Sequence, residues 1–483
     1  MVVARRLRKR SSLVVVVVAT ALAACGVQAV DDAGTGRNGG DARGADIGPT
    51  TSSTPLTTDA PPSAVEIVGD DGSELNEVAA SAIADLDVYW GEQYPAVYGE
   101  EYDPIGGGFF AIDATTDPAT LPCAVPDIEL VLYNAYYCPP DDAIAWDQEG
   151  LMPDLASQYG DFSMAVVMAH EWGHAIQERA GVTEPTVVLE LQADCFAGAW
   201  ARYARDDDRS RFNVSVEELD LALAGILALR DAPGALASDP NAHGSGFDRV
   251  AAFQDGFEQT AEACAEYTDD TVSPYQFPFS DRGSATGGDL PLEEINTTAF
   301  ESLEAYWDDV FPSVSDGGGW EPLEDPVEFT TADPPVCNGE EVTQFRLFFC
   351  VPDRFVAYDN AETMPDAHEL GDFAVGTLYG TQYGLAVQEQ LGGAPDDEVL
   401  ATLRGDCYAG AWAGAILPEE VDQETFPYEL LLSPGDLDEA VAVLLSFRSD
   451  SDRHRQGPGF ERVRAFRIGV VDGPASCATV EPG

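Results

Sequence analysis

In the stretch "FSMAVVMAHEWGHAIQE", the residues Phe162, Val166, Ala169 and Gly173 recur at helical spacing, so the pattern predicts a long helix with one buried face. A second helix is expected over about 186–204, and later ones around 216–229 and 248–261. Upstream, an amphipathic run predicts a helix that ends in the pair Tyr89–Trp90. Between that helix and the long one lie short β-prone runs, "NAYYC" and "AIAWD", bracketed by Cys and Pro. The reading is α+β, dominated by helix, with small antiparallel sheets.

The same pattern then recurs. "ADLDVYWGEQYP" is answered by "ESLEAYWDDVFP", and "NAYYCPPDDAIAWD" by "FRLFFCVPDRFVAYD". "LQADCFAGAWA" is answered by "LRGDCYAGAWA", and "GFDRVAAF" by "GFERVRAF". Four blocks in one order predict a tandem duplication. A Pro-, Gly-, Ser- and Asp-rich break over 268–291 reads as the linker, which divides the globular sequence into domains at 65–267 and 292–483.

The N-terminus reads differently. Arg5, Arg6, Arg8, Lys9 and Arg10 precede an apolar run from Leu13 to Leu22, too short to span a bilayer as an anchor. "LAAC" then ends at Cys25, a pattern that resembles a bacterial lipobox. Residues 1–24 are therefore expected to be a lipoprotein signal peptide, and Cys25 the lipidated residue that anchors the chain on the extracytoplasmic face of the cell membrane. An ordinary cleaved secretory signal is the alternative. Residues 25–64 have few large apolar side chains and are expected to be a disordered tether.

Charge narrows the partners. The 483 residues carry 24 Lys+Arg against 86 Asp+Glu, a formal net charge of −62. Such a surface repels nucleic acid, so a nucleic-acid role is disfavoured.

Of nine cysteines, Cys25 is set aside and eight remain, four in each half. In an exported protein an even, repeated set reads as disulfides. Four cysteines allow three pairings per half. The favoured ones are Cys123–Cys138 with Cys195–Cys264, and Cys337–Cys350 with Cys407–Cys477. A short loop of this kind stabilises by roughly 3 kcal/mol in the chain-entropy model. Metal ligation by these cysteines is disfavoured, because the second half keeps all four while it loses its histidines.

The candidate chemistry sits on the predicted helix pair. His170 and His174 are one helical turn apart and project from one face, as two ligands of a single Zn²⁺ would. Glu171 stands beside them as a candidate general base. On the next helix, Glu190 is placed to be the third ligand, and Asp194 to hold the outer nitrogen of a ligand histidine. Three protein ligands leave a position open, as catalytic sites do. A closed structural zinc site remains an alternative reading.

His-Glu-x-x-His followed by Glu-x-x-x-Asp resembles the gluzincin class of zinc peptidases. The pieces "YYCPPD", "GDF", "MAHEWGHAIQ", "ELQADCFAGAWA" and "HGSGFDR" make the first half, about 65–267, similar to a bacterial neutral zinc metallopeptidase family. The resemblance implies a zincin-like fold, zinc held by His170, His174 and Glu190, and Glu171 as the catalytic base. A peptide or protein would be the substrate. His243 is the candidate for a further oxyanion donor, with a local loop hydrogen bond as its alternative. Tyr137 is a weaker candidate for the same role and reads better as a packed aromatic. "AIAWD" is expected to be an edge strand that pairs with extended substrate.

The repeat lacks these groups. His170, Glu171 and His174 align with Thr381, Gln382 and Leu385, and Glu190 with Thr402, while Asp194 is matched by Asp406. One zinc per chain is expected, with the second half a pseudo-peptidase that can pack on the first. Two functions stay open. One is a membrane-tethered zinc metallopeptidase, and the other is a non-catalytic binding or scaffolding lipoprotein whose first domain holds zinc.

Overall fold

The computed structural model describes residues 24–26, 56–57, 65–279, 286–418, 428, 430–447 and 453–483. Almost all of the expected signal peptide and most of the expected tether lie outside the described residues.

The described chain begins with β1 (Ala24–Gly26) and β2 (Ile67–Val68), followed by α1 (Glu74–Tyr98). Ser73 caps α1 by accepting from the Asn76 N–H, and Gly99 closes it in the left-handed region at φ 74°. Tyr89–Trp90 does not end this helix. It continues two turns further, through Pro95, because Tyr94 also finds a place in the core. Next come β3 (Gly108–Ile112), β4 (Asn134–Cys138) and β5 (Ala143–Asp147). The helices α2 (Leu151–Tyr159), α3 (Asp161–Ala180), α4 (Thr186–Asp206), α5 (Val216–Ala228), α6 (Gly246–Glu258) and α7 (Ala261–Ala265) follow.

A similar order runs through the rest of the chain. It opens with α8 (Leu292–Val314), β6 (Val327–Phe329), β7 (Val336–Cys337), β8 (Glu340–Glu341), β9 (Leu347–Cys350) and β10 (Phe355–Asp359). It ends with α9 (Thr363–His368), α10 (Asp372–Gln390), α11 (Glu398–Ala415), α12 (Asp436–Ser446), α13 (Arg453–Gln456) and α14 (Gly459–Asp472).

The sheets are mixed, not antiparallel as expected. In the order β1-β4-β5-β3-β2, β4 runs antiparallel to β5, but β3 runs parallel to it. The three-stranded sheet β6-β10-β9 repeats this, with β9 antiparallel and β6 parallel to β10. The parallel neighbours β3 and β6 flank the second strand of each hairpin, while the first strand, β4 or β9, runs the other way on its far side. β5, which is "AIAWD", is a central strand, so the expectation of an edge strand fails. All five of its residues are buried.

Four disulfides join Cys123–Cys138, Cys195–Cys264, Cys337–Cys350 and Cys407–Cys477, the favoured pairing in each half. In each half one glycine lets the helix that carries the first cysteine of the long disulfide touch a later helix, α4 against α6 and α11 against α14. A Cβ at Gly198 would stand 1.9 Å from Phe253 O, and one at Gly410 would stand 1.9 Å from Phe466 O. Only a residue without a side chain fits there.

The two halves pack on each other through α5 and α6 on one side and α12 and α14 on the other. The contacts are reciprocal. Asp220 of α5 accepts from the Gly459 and Phe460 N–H groups that open α14 (3.0 and 2.7 Å). Asp438 of α12 accepts from the Phe247 N–H that opens α6 (2.8 Å). Each carboxylate thus satisfies orphan donors at the start of the other half's helix. Phe257 meets Phe460 with ring centroids 4.9 Å apart, and Arg467 reaches Asp255 at 2.6 Å.

Two expected non-globular segments touch this body. Leu56 packs against the core, Thr57 bridges to Phe212, and the Asn213 N–H donates to Leu56 O (2.7 Å). The tether is therefore docked at 56–57, since Leu56 has apolar surface to bury. In 268–291, Val272, Tyr275 and Phe277 also pack against the core. Among the described residues, no helix is long and apolar enough to cross a membrane.

Candidate metal centre

The site is built where α3 crosses α4. Gly173 permits the approach, because a Cβ there would stand 2.9 Å from Ala193 Cα. His170 and His174 face α4 from one side of α3, and Glu190 faces them from α4. His170 Nε2 and His174 Nε2 are 3.2 Å apart. They lie 3.2 and 3.4 Å from the two carboxylate oxygens of Glu190. All three side chains are buried, with His174 the most open at 7 % exposure.

These distances fit a metal. Ligands held at about 2.0–2.1 Å in a tetrahedron are about 3.3 Å from one another. Glu190 Oε2, 3.2 Å from His170 Nε2, is a buried oxygen that no well-aligned hydrogen bond satisfies. An orphaned carboxylate oxygen facing two imidazole nitrogens is what a zinc ion would satisfy. Among the described residues, this is the one histidine-containing group with such convergence.

The outer shell orients both rings. His170 Nδ1 donates to Asp194 Oδ1 at 2.7 Å, which turns the Nε2 lone pair inward. Arg249 grips the same carboxylate with two bonds of 2.8 and 3.0 Å. Burial acts to raise the Asp194 carboxyl, but Arg249 and His170 outweigh it and hold it below the usual range. His174 Nδ1 donates to Gln177 Oε1 at 2.9 Å, and Gln177 Nε2 donates to Leu189 O at 2.6 Å. Gln177 was not a predicted site residue. It lies three positions after His174 on the same helix face, and that spacing was its signal.

Glu171 points to the β4 side of α3. Its Oε2 accepts from the Tyr137 N–H at 2.8 Å, while Oε1 is buried with no hydrogen-bond partner. Burial pushes its carboxyl above the usual range, against the pull of His170 and His174. One fixed oxygen, one free oxygen and a raised pKa suit a group that takes up and returns a proton.

Other predicted residues are placed as follows. His243 lies on the loop before α6, its backbone N–H and Nδ1 against Asp231 at 2.9 and 3.3 Å. A positive charge on it would favour the ionised form of Glu190. The Tyr137 hydroxyl donates to Asp142 (2.9 Å), so it is already committed, and its contribution to the site is its backbone N–H. Cys25 lies in β1, where its backbone pairs with Ala135 of β4.

Comparison with known proteins agrees with this chemistry at a coarse level. The family described as "Putative neutral zinc metallopeptidase" matches residues 44–267. The match starts earlier than the resemblance at 65 and ends before α8. The uncharacterized protein YpfJ of Escherichia coli K12 is 30% identical over 152 residues, covering 26% of this chain and 51% of that protein. The uncharacterized proteins Mb2605 of Mycobacterium bovis and Rv2575 of Mycobacterium tuberculosis are each 33% identical over 116 residues. Those alignments cover 20% of this chain and 40% of each relative, so the chain spans about half or less of the relatives it matches. No solved structure matches significantly.

Proposed function

We propose that this chain is a zinc-dependent peptidase with a single centre at His170, His174 and Glu190 and with Glu171 as general acid and base. The observation that carries the reading is the mutual spacing of the two Nε2 atoms and the Glu190 carboxylate, 3.2–3.4 Å, beside a carboxylate with one free buried oxygen. A zinc ion held there would supply Lewis acidity and lower the pKa of water towards about 7.

The chain's own residues do the rest. Asp194 and Gln177 keep both imidazoles in the tautomer that presents Nε2. Arg249 keeps Asp194 in place. The Tyr137 N–H holds Glu171 Oε2, which leaves Oε1 to take a proton from the attacking water and pass it to the leaving amine. His243, on the loop nearest Glu190, is the group we assign to the developing oxyanion.

The matched frame of the second half, without histidines at the ligand positions, supports reading it as a duplicated pseudo-peptidase that braces the first. The lipobox-like "LAAC" supports tethering through Cys25 to the outer face of the cell membrane.

The test is Glu171→Gln in the full chain beside His174→Ala. Glu171→Gln is expected to keep its zinc and lose about 10²–10⁴-fold in peptide hydrolysis. His174→Ala is expected to lose both. A Glu171→Gln protein that still hydrolyses peptides would reject the mechanism. A wild type that binds zinc but cleaves no peptide in a broad library would leave the scaffolding lipoprotein as the function.

A further inference from the structure

The reciprocal capping by Asp220 and Asp438 sets α5 and α12 in register with each other. One residue beyond them stand Leu221 and Glu439. Leu221 lies under Gly160, where a Cβ would be 3.5 Å from its Cδ1, an ordinary apolar contact. Glu439 occupies the matching place under Gly371. A Cβ on Gly371, whose φ is 132°, would overlap the Glu439 carboxylate. The second half has thus put a carboxylate where the first half packs a leucine.

Two more carboxylates, Asp289 and Asp372, meet it there, with Asp436 close by. One oxygen from each of Asp289, Asp372 and Glu439 lies within 4.8 Å of the others. Asp372, at the start of α10, is only 4 % exposed. Its Oδ2 accepts from the Leu290 N–H at 2.8 Å, but its Oδ1 is buried with no hydrogen-bond partner. Asp436 is 3 % exposed and is held by the Ser433 N–H and Oγ at 2.8 and 2.6 Å. Glu439 Oε2 accepts from the Phe373 N–H at 2.8 Å. The cation that faces the group is His368, bonded to Leu290 O.

Burial and mutual repulsion push Asp436 and Glu439 well above the carboxylate range, and Asp372 to about 6. Carboxylates gathered around a buried, unpartnered oxygen need something to offset their charge.

We propose that Asp289, Asp372 and Glu439 form a calcium site that ties the segment before α8 to the N-termini of α10 and α12. The donors are all carboxylate oxygens, the hard ligands calcium prefers, and none is the nitrogen or sulfur that selects zinc. Oxygens bound at about 2.3–2.6 Å can lie up to about 5 Å apart across one calcium ion, which accommodates this spread. An exposed member, Asp289, leaves the site open to exchange with solvent. The site is independent of the zinc centre.

The test is calorimetric titration of the zinc-loaded, calcium-free full chain with CaCl₂, with thermal unfolding at each calcium concentration. One calcium per chain and a Tm that rises with calcium are expected. Two variants locate the site. Asp372→Asn keeps shape and removes charge, and Glu439→Leu restores the apolar pairing of the first half. Each is expected to abolish the calcium heat and the rise in Tm while zinc content stays unchanged. Glu439→Leu is expected to melt higher than the calcium-free wild type. Absence of calcium heat up to about 10 mM, beyond the weak range of extracellular modules, would overturn the proposal and leave a proton-sharing cluster. Undiminished binding in both variants would overturn it too.

Discussion

The helix pairs α3–α4 and α10–α11 share a frame and differ in what they hold. Gln177 and Gln388 make the same bond across the pair, to Leu189 O at 2.6 Å and to Ala401 O at 2.9 Å. Arg249 and Arg462 grip Asp194 and Asp406 with identical pairs of bonds, 2.8 and 3.0 Å. In place of the histidines and glutamates stand groups whose bonds stay within the second half. Thr381 bonds to Leu378 O, Gln382 to Thr381, and Thr402 to Arg455 O. The comparison separates scaffold from chemistry. The Asp–Arg pair holds the glycine-contact helices together in both halves, and only His170 gives it a second task. The electrostatics agree. Burial raises Asp406, with Arg462 too weak to reverse it, whereas Asp194 has Arg249 and His170 together and is lowered.

The largest expected effect comes from refilling the second frame. Thr381→His, Gln382→Glu, Leu385→His and Thr402→Glu together should add a second zinc per chain, because Gln388, Asp406 and Arg462 already stand in place. Elemental analysis reads this directly. No added zinc would mean that the frames differ in more than their ligands.

Asp194→Asn should weaken zinc binding by about 10–100-fold, whereas Asp406→Asn should leave it unchanged. Both should destabilise, by about 3–5 kcal/mol, since each leaves a buried arginine without its counter-charge. Competition with a chelator and denaturant unfolding separate the two effects. Equal zinc affinities would remove Asp194 from the metal site.

Gly173→Ala forces α3 from α4, and Gly384→Ala, whose Cβ would stand 2.4 Å from Gly405 O, forces α10 from α11. Overpacking of this kind costs about 1–3 kcal/mol in either half, but only Gly173→Ala should also reduce zinc affinity.

The smallest effect concerns pH. Burial pushes Asp248 up to about 7, and Asp438 adds to this while Ser245 and the Tyr275 N–H oppose it. A raised folded-state pKa means that the folded protein holds this proton more tightly than the unfolded chain. Its stabilising contribution is full below about pH 4 and is lost as pH rises towards 7. Asp248→Asn should flatten the melting temperature over that window, with Glu461→Gln at the matching position of α14 as control. An unchanged slope would assign the pH dependence elsewhere.

Much of this was legible beforehand because it follows from local periodicity and from spacing. Helical period put His170 and His174 on one face, and Glu190 with Asp194 on the next. The cysteines paired by nearest neighbour in each half, with each short loop ending on the first strand of a hairpin, β4 or β9. What failed depended on distant partners. "AIAWD" reads like any half-buried strand, and only the return of β3 beside it makes it central. Leu56 reads as part of a polar tether until Phe212 offers it a surface.

The sequence alone therefore determined which residues could share a helix face, which cysteines could staple, and which half carries histidines at the candidate metal site. Those properties reside in near neighbours along the chain. Tertiary structure decided that Gln177 and the Tyr137 N–H stand at the site, that Asp220 and Asp438 cap each other's half, and that three acids from three segments meet beside Gly371. Each of these requires groups far apart in sequence to be brought within hydrogen-bond or Coulomb range, and no local pattern encodes such a distance.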